Sequence, residues 1–424
     1  MTSEDLSTLG ALLLALAVIV TVARLLGALA RRLKQPPVIG EIIGGILLGP
    51  TLFDGDLTAA LFPAGIRPAL TDLANIGVCV FMFLVGLEFD RALLRGQGRI
   101  AASVSLSAIA LPFALGALLA LHLAANHPTH DRLAFVLFLG TAMSVTAFPV
   151  LARILTDKGL IDTPIGGLAL ASAAVDDVLA WSLLAAVAAL AGAGGAPWHL
   201  ALVVPYAAAM LWMVRPLLAK LARRDKGRAN WLTDAAILLA VATGVLLSAE
   251  ATEWMGLHLI FGAFLLGIAL PREGATRLRH RALPWIERAS SVLLLPVFFM
   301  VAGLKVDLSA MTATSFGELT LILLVAIGGK FLGAYTGARL NGIRPRHSTV
   351  LALLINTRGL TELIVLTVGL QLGVLDQQLY SLMVVMALVT TAMAGIILPF
   401  IYPEDRIRED KAVRESRKPA HRST

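Results

Sequence analysis

Ala171-Ser172-Ala173-Ala174-Val175-Asp176-Asp177-Val178-Leu179-Ala180-Trp181 sets two adjacent carboxylates near the middle of an apolar run from Pro164 to about Ala193. A helix of that length, rising ~1.5 Å per residue, crosses the ~30 Å hydrocarbon core of a bilayer and carries both acids to its midplane. An ionised side chain there costs roughly 2.5–3.5 kcal/mol, so the pair must either be neutralised by a neighbour or serve a purpose. One reading is structural, with two acids locked to a helix partner to fix packing. The other is a relay for protons or ions, which is favoured because two buried acids are a costly way to pin helices.

The surroundings of this stretch give the fold class. The 424 residues are 58% hydrophobic and 15% charged, with the apolar residues strung into long blocks between short polar links. That pattern excludes a soluble globular protein and predicts an all-α polytopic membrane protein. Thirteen stretches have spanning length: residues 6–28, 37–53, 69–89, 100–124, 133–155, 164–193, 198–221, 231–250, 256–271, 285–304, 316–338, 348–374 and 378–402. With the N-terminus outside, 28 of the 35 Lys and Arg residues fall in links or a tail on the cytoplasmic side, as the positive-inside rule requires. The net charge of +7 is therefore explained by topology, and no nucleic-acid partner is expected. Arg31, Arg32 and Lys34 follow the first block without a small-residue cleavage pattern, so that block is expected to be a retained helix. The single cysteine, Cys79, lies in an apolar segment and has no partner for a disulfide within the chain.

Three pairs of segments repeat. Phe81-Met82-Phe83-Leu84-Val85-Gly86-Leu87-Glu88-Phe89-Asp90 reads like Phe298-Phe299-Met300-Val301-Ala302-Gly303-Leu304-Lys305-Val306-Asp307. Gly44-Gly45-Ile46-Leu47-Leu48-Gly49 reads like Gly262-Ala263-Phe264-Leu265-Leu266-Gly267, and Gly140-Thr141 lines up with Asn356-Thr357. The offset is seven spans. Seven is odd, so the second copy enters the membrane the other way round, which predicts inverted-topology repeats with a substrate site at their interface.

Two matching spans carry polar and helix-breaking residues at depth. Thr141-Ala142-Met143-Ser144-Val145-Thr146-Ala147-Phe148-Pro149 contains a proline that cannot donate to the carbonyl of Val145, and Ser144 and Thr146 offer replacement partners. Asn356-Thr357-Arg358-Gly359-Leu360-Thr361-Glu362 is polar in mid-span. Two broken crossing helices are expected, with half-helix ends and free carbonyls able to hold a small ion. The plainer readings are a proline kink and a buried Arg358–Glu362 pair at i,i+4. Lys330, in Gly328-Gly329-Lys330-Phe331, lies too deep to snorkel, and its candidate carboxylates are Asp176, Asp177 and Glu362. Two acids and one lysine leave one acid to hold either a proton or a metal cation, which is the physical basis of exchange.

Taken together, Ser144 to Leu155, Ala173 to Val178 with Trp181, Phe261 to Phe264, and Asn356 to Leu366 resemble the monovalent cation:proton antiporter superfamily. The branch is that of the plant cation/proton exchangers and the bacterial potassium-efflux antiporters, and the likeness runs from about Pro37 to Pro399. The resemblance implies a homodimer embedded in membrane lipid that works by an elevator-type movement. Residues 1–402 would form the transporter domain, with a dimerisation part at about 1–90 and 231–304. A core part would lie at about 100–193 and 316–402, joined by a linker helix at about 198–221. It also implies that Asp177 carries cation and proton while Asp176 faces Lys330, as in electrogenic sodium/proton antiporters. The plant exchangers carry Asn-Asp where this chain has Asp176-Asp177.

The expected protein is thus a secondary antiporter exchanging Na⁺ or K⁺ for H⁺, not an enzyme, and without a cofactor. Asp177 and Thr146 are expected to hold the transported ion. Asp176 would pair with Lys330, and Ser144, Asn356, Thr357, Arg358 and Glu362 would support the broken helices. Its expected place is a bacterial inner membrane, N-terminus outside and C-terminus cytoplasmic, with a charged, disordered tail at 403–424 and no nucleotide-binding regulatory domain. The competing readings are an efflux transporter for a small organic cation or drug on the same fold, and a membrane sensor that binds ions without flux. His127, His130, His258 and His280 are read as ordinary interfacial residues rather than pH sensors.

Overall fold

Long apolar runs without water can satisfy their backbone only internally, and in the computed structural model every regular element among the described residues is accordingly helical. The structure describes residues 3–52, 55–88, 98–129, 131–160, 163–191, 202–224, 231–255, 257–270, 283–309 and 311–403. The expected tail beyond residue 403, several basic links (Arg91, Arg95, Lys226, Arg228 and residues 271–281), His130 and His280 lie outside the described residues.

In chain order the helices are α1 (Ser3–Arg32), α2 (Pro37–Leu48), α3 (Arg67–Glu88), α4 (Gly98–Leu123), α5 (Arg132–Ser144), α6 (Phe148–Asp157) and α7 (Pro164–Leu190). Next come α8 (residues 203–224), α9 (Trp231–Trp254), α10 (Ile260–Ala269) and α11 (residues 283–304). The last four are α12 (Ala313–Leu340), α13 (Pro345–Ile355), α14 (Leu360–Gln371) and α15 (Gln377–Ile401). Among the described residues eight helical spans are long and apolar enough to cross a membrane, α5 with α6 counting as one of them. The bent pair α13 and α14 makes a ninth. The chain is an integral, multi-pass membrane protein by this measure.

The chain divides into two units. The first comprises residues 1–26, 41–90 and 185–309. Within it the helices meet backbone to backbone: a methyl group added at Gly86 of α3 would strike the Phe264 carbonyl and Gly267 of α10, and one at Gly303 of α11 would strike the Ile42 carbonyl and Gly45 of α2. So α3 meets α10 as α11 meets α2, and the two contacts join the segments that repeat in the sequence. Small residues suit such crossings because lipid supplies no hydrophobic drive and association rests on close packing. Helices α8 and α11 each contain a π turn, Met210–Val214 and Ser290–Leu294. Each turn runs up to a proline, Pro216 or Pro296, whose missing N–H widens the coil.

The second unit comprises residues 27–40, 91–184 and 310–424. Here α4 packs on α5 and α12, and α12 in turn on α13 and α15. Gly333 and Gly337 on α12 lie so close to Ser107 of α4 that no side chain fits between. That approach seats this face of α12, with Lys330 one turn before Gly333, in the interior of the unit. Two interruptions complete it. Val145–Ala147 separates α5 from α6, and Asn356–Gly359 separates α13 from α14 with a bend of 44°. The interrupted backbones touch, the Ala147 amide donating to the Thr357 carbonyl at 3.0 Å.

Candidate functional site

A helix that stops inside apolar surroundings exposes carbonyls that need donors. Helix α5 stops at Ser144, and all four of its last carbonyls find one. The Ser144 hydroxyl donates to Thr141 O at 2.8 Å. Arg358 donates through Nη1 to Ala142 O at 2.8 Å and through Nη2 to Met143 O at 2.5 Å, and Lys330 Nζ donates to Ser144 O. Two cations thus sit on the negative end of the α5 dipole, where positive charge is most favourable. Pro149, in the first turn of α6, costs no hydrogen bond there, since its N–H would have had no helical partner.

The two acids on α7 have opposite surroundings although both are buried. Asp176 is saturated: Oδ1 accepts from the Ser105 hydroxyl, and Oδ2 accepts from the Thr146 hydroxyl at 2.6 Å and from Lys330 Nζ at 3.2 Å. Of the three carboxylates open to Lys330 from the sequence, Asp176 is the one that forms the ion pair. Asp177 is 3% exposed, yet neither of its oxygens meets a donor at hydrogen-bonding geometry. The amide of Phe148, at the positive end of α6, is a backbone neighbour of this carboxylate.

The second interruption supplies the remaining polar groups. Arg358 and Glu362 are both fully buried and pair at 2.9 Å, as the i,i+4 spacing suggested, and Thr391 of α15 donates to the Arg358 carbonyl at 2.7 Å. The Asn356 amide, the Thr357 hydroxyl and Glu362 Oε1 are buried without a hydrogen-bond partner. Buried polar atoms of this kind are rare in native folds and are normally met by water or an ion.

Every site residue expected from the sequence is therefore buried in this one unit, with some changes of partner. Thr146 directs its hydroxyl to Asp176 and to Ile355 O at 3.1 Å, rather than to Asp177. Ser144 offers its carbonyl to Lys330 while its hydroxyl turns back into α5. Ser105 and Thr391 carried no signal in the sequence, being one hydroxyl among several in an apolar run.

A further cluster joins three helix ends. His127, just past α4, places Nδ1 2.6 Å from Asp376, the N-cap of α15, and Nε2 3.3 Å from Glu318 in the second turn of α12. Asn126 donates to the other Glu318 oxygen at 2.7 Å. Burial pulls the His127 pKa down, but the hydrogen bond and charge of Asp376, then Glu318, outweigh it and hold the value above the ordinary histidine range. Burial pushes Asp376 up, but the His127 hydrogen bond and the Leu379 amide hold it below the ordinary carboxylate range.

Comparison with known proteins places this arrangement. The family profile described as sodium/hydrogen exchanger, transmembrane, matches residues 16–402. The chain belongs to that family. It is 41% identical over 411 residues to the Na⁺/H⁺ antiporter NhaS4 of Synechocystis, covering 94% of this chain and 99% of that protein. It is 38% identical over 410 residues to cation/H⁺ antiporter 20 of Arabidopsis thaliana and 32% identical over 396 residues to K⁺/H⁺ antiporter 1 of Saccharomyces cerevisiae. It covers 92% and 88% of its own length in those two matches but only 48% and 44% of theirs, so this exchanger-family chain spans about half of the eukaryotic relatives. These relatives are transporters and not enzymes. The sodium proton antiporter MjNhaP1 of Methanocaldococcus jannaschii superposes with a TM-score of 0.65 at 17% identity, over 96% of this chain and 99% of that one, which is a likeness of fold.

Proposed function

We propose that the protein is a secondary antiporter exchanging a monovalent cation, Na⁺ or K⁺, for H⁺, and that Asp177 holds the cation and the proton in turn. The observation that carries this reading is the contrast on α7, where Asp176 has every oxygen occupied and Asp177 is buried with none. A lone buried carboxylate must take up a positive charge, and a proton and an alkali cation are the two available forms of it. With Asp176 engaged by Lys330, either occupant of Asp177 displaces the other. The cyanobacterial and yeast relatives, a Na⁺/H⁺ antiporter and a K⁺/H⁺ antiporter, agree with this chemistry.

The finer architecture is part of the same proposal. Thirteen spans form two inverted repeats, with α5–α6 and α13–α14 as crossing broken helices, and unbonded carbonyls and hydroxyls near the breaks assist the ion. The unit bearing the acids moves as an elevator against a dimerising part, in a homodimer in a bacterial inner membrane with its N-terminus outside.

The test is exchange in proteoliposomes under an imposed pH gradient. Addition of Na⁺ or K⁺ should dissipate the gradient with the wild type and not with Asp177→Asn. Full activity in Asp177→Asn would remove the site assignment. If alkali cations fail and only an organic cation dissipates the gradient, the cargo is organic.

A further inference from the structure

The end of the second unit away from the His127 cluster holds a cavity of about 1140 Å³. It is framed by the link after α1, the C-terminal end of α6 and the C-terminal end of α15. Arg31, Lys34, Arg153 and Lys158 face into it from the first two of these, and its described lining contains no carboxylate. The exchange mechanism uses none of these four cations. At the mouth the character changes: Leu33, Ile396 and Phe400, also lining residues, are 66%, 56% and 83% exposed.

We propose that this cavity binds the headgroup of an anionic phospholipid, its phosphate among the basic side chains and its acyl chains along Leu33, Ile396 and Phe400. Charge complementarity selects an anion, since Arg31, Lys34 and Lys158 bring three positive charges to one space. The apolar mouth selects a lipid over a soluble anion. A free phosphate gains nothing from three large exposed hydrophobic side chains, whereas an acyl chain covers them. The site also lies at the ends of α1 and α15, where a spanning helix meets the headgroup layer and basic pockets attract anionic lipids. A bound headgroup would tie together three segments that are far apart in the chain.

The experiment uses the full chain in nanodiscs of phosphatidylcholine with increasing phosphatidylglycerol, comparing wild type with the triple variant Arg31→Gln, Lys34→Gln, Lys158→Gln. Thermal melting and the lipid retained after extraction are the readouts. Each basic residue near a membrane surface is worth roughly fivefold in affinity, so the variant should bind phosphatidylglycerol about a hundredfold more weakly and lose its stabilisation by that lipid. Lys158→Gln alone, expected to weaken binding roughly fivefold, keeps the test open if the triple variant does not fold. Equal stabilisation of wild type and variants by phosphatidylglycerol, or equal effects of the two lipids on the wild type, would overturn the proposal. Inorganic phosphate added to phosphatidylcholine discs should leave the melting temperature unchanged, and stabilisation by phosphate alone, lost in the variants, would make the occupant a soluble anion and overturn the lipid assignment.

Discussion

The two units of this protein bury different things. Among the described residues, every buried charge is in the second unit: Asp176, Asp177, Glu318, Lys330, Arg358 and Glu362, with His127 beside them. The buried polar side chains of the first unit are all hydroxyls, on Thr58, Ser248, Thr252 and Ser290. Three of these four donate to a backbone carbonyl, as when Ser248 donates to Gly262 O at 2.6 Å. The first unit is therefore held by shape, through glycine crossings that tolerate no added atom. The second is held by a network of ion pairs and capped carbonyls that has one carboxylate left over. Tight packing suits a fixed scaffold, and a charged interior with one vacancy in its pairing suits exchange of a charged cargo.

The largest effect should come from breaking the network. Arg358→Met leaves Glu362 unpaired, Met143 O without a donor and Ala142 O with only the Val145 amide at 3.4 Å, and removal of one partner of a buried pair costs about 3–5 kcal/mol. The melting temperature should fall sharply, and Arg358→Met combined with Glu362→Leu should recover part of the loss; no recovery would show that the pair is not the unit of stability. Next is the first unit. Gly303→Ala should cost about 1–3 kcal/mol through collision with the α2 backbone, although it touches no charge. A neutral outcome in a denaturation assay would mean that the crossing is looser than described. Ser105→Ala should cost a similar amount, about 1.5–3 kcal/mol in the same assay, because it removes one of three donors to Asp176.

The smallest effect is a pH dependence. The raised His127 pKa contributes stability that is complete below the unfolded histidine value and lost as pH rises through the folded one. The lowered Asp376 pKa contributes stability that is present above the unfolded carboxylate value and lost as pH falls through the folded one. The pair should therefore stabilise the fold most between those limits. Melting temperatures measured across pH should decline on the alkaline side for wild type and decline less for His127→Gln; parallel curves would exclude the pair as the cause.

Much of the second unit was legible in the sequence because its departures from apolar composition are conspicuous. An acid pair, a lysine among glycines and an Arg-to-Glu spacing of four have few explanations at mid-membrane depth, and Pro149 marks an interruption of its span by its missing N–H. What was not legible depends on distance along the chain. His127 meets Glu318 and Asp376, 191 and 249 residues away, and so seemed an ordinary link residue. Arg358 reaches the carbonyls of residues 216 and 215 positions earlier, which no local pattern announces. Ser105 is hidden among equivalent serines on α4. Spacing along the chain cannot say which of three acids a folded helix presents to Lys330, and it is the family resemblance that names Asp176, the partner the structure shows.

The most direct measurement is proton release by the purified protein in weak buffer when Na⁺ or K⁺ is added. The wild type should release up to about one proton per chain on binding, as a cation displaces the proton from its ligand. Asp177→Asn should release none while remaining as stable as the wild type, since it removes a carboxylate that has no hydrogen bond to lose. Undiminished release from folded Asp177→Asn would contradict the account.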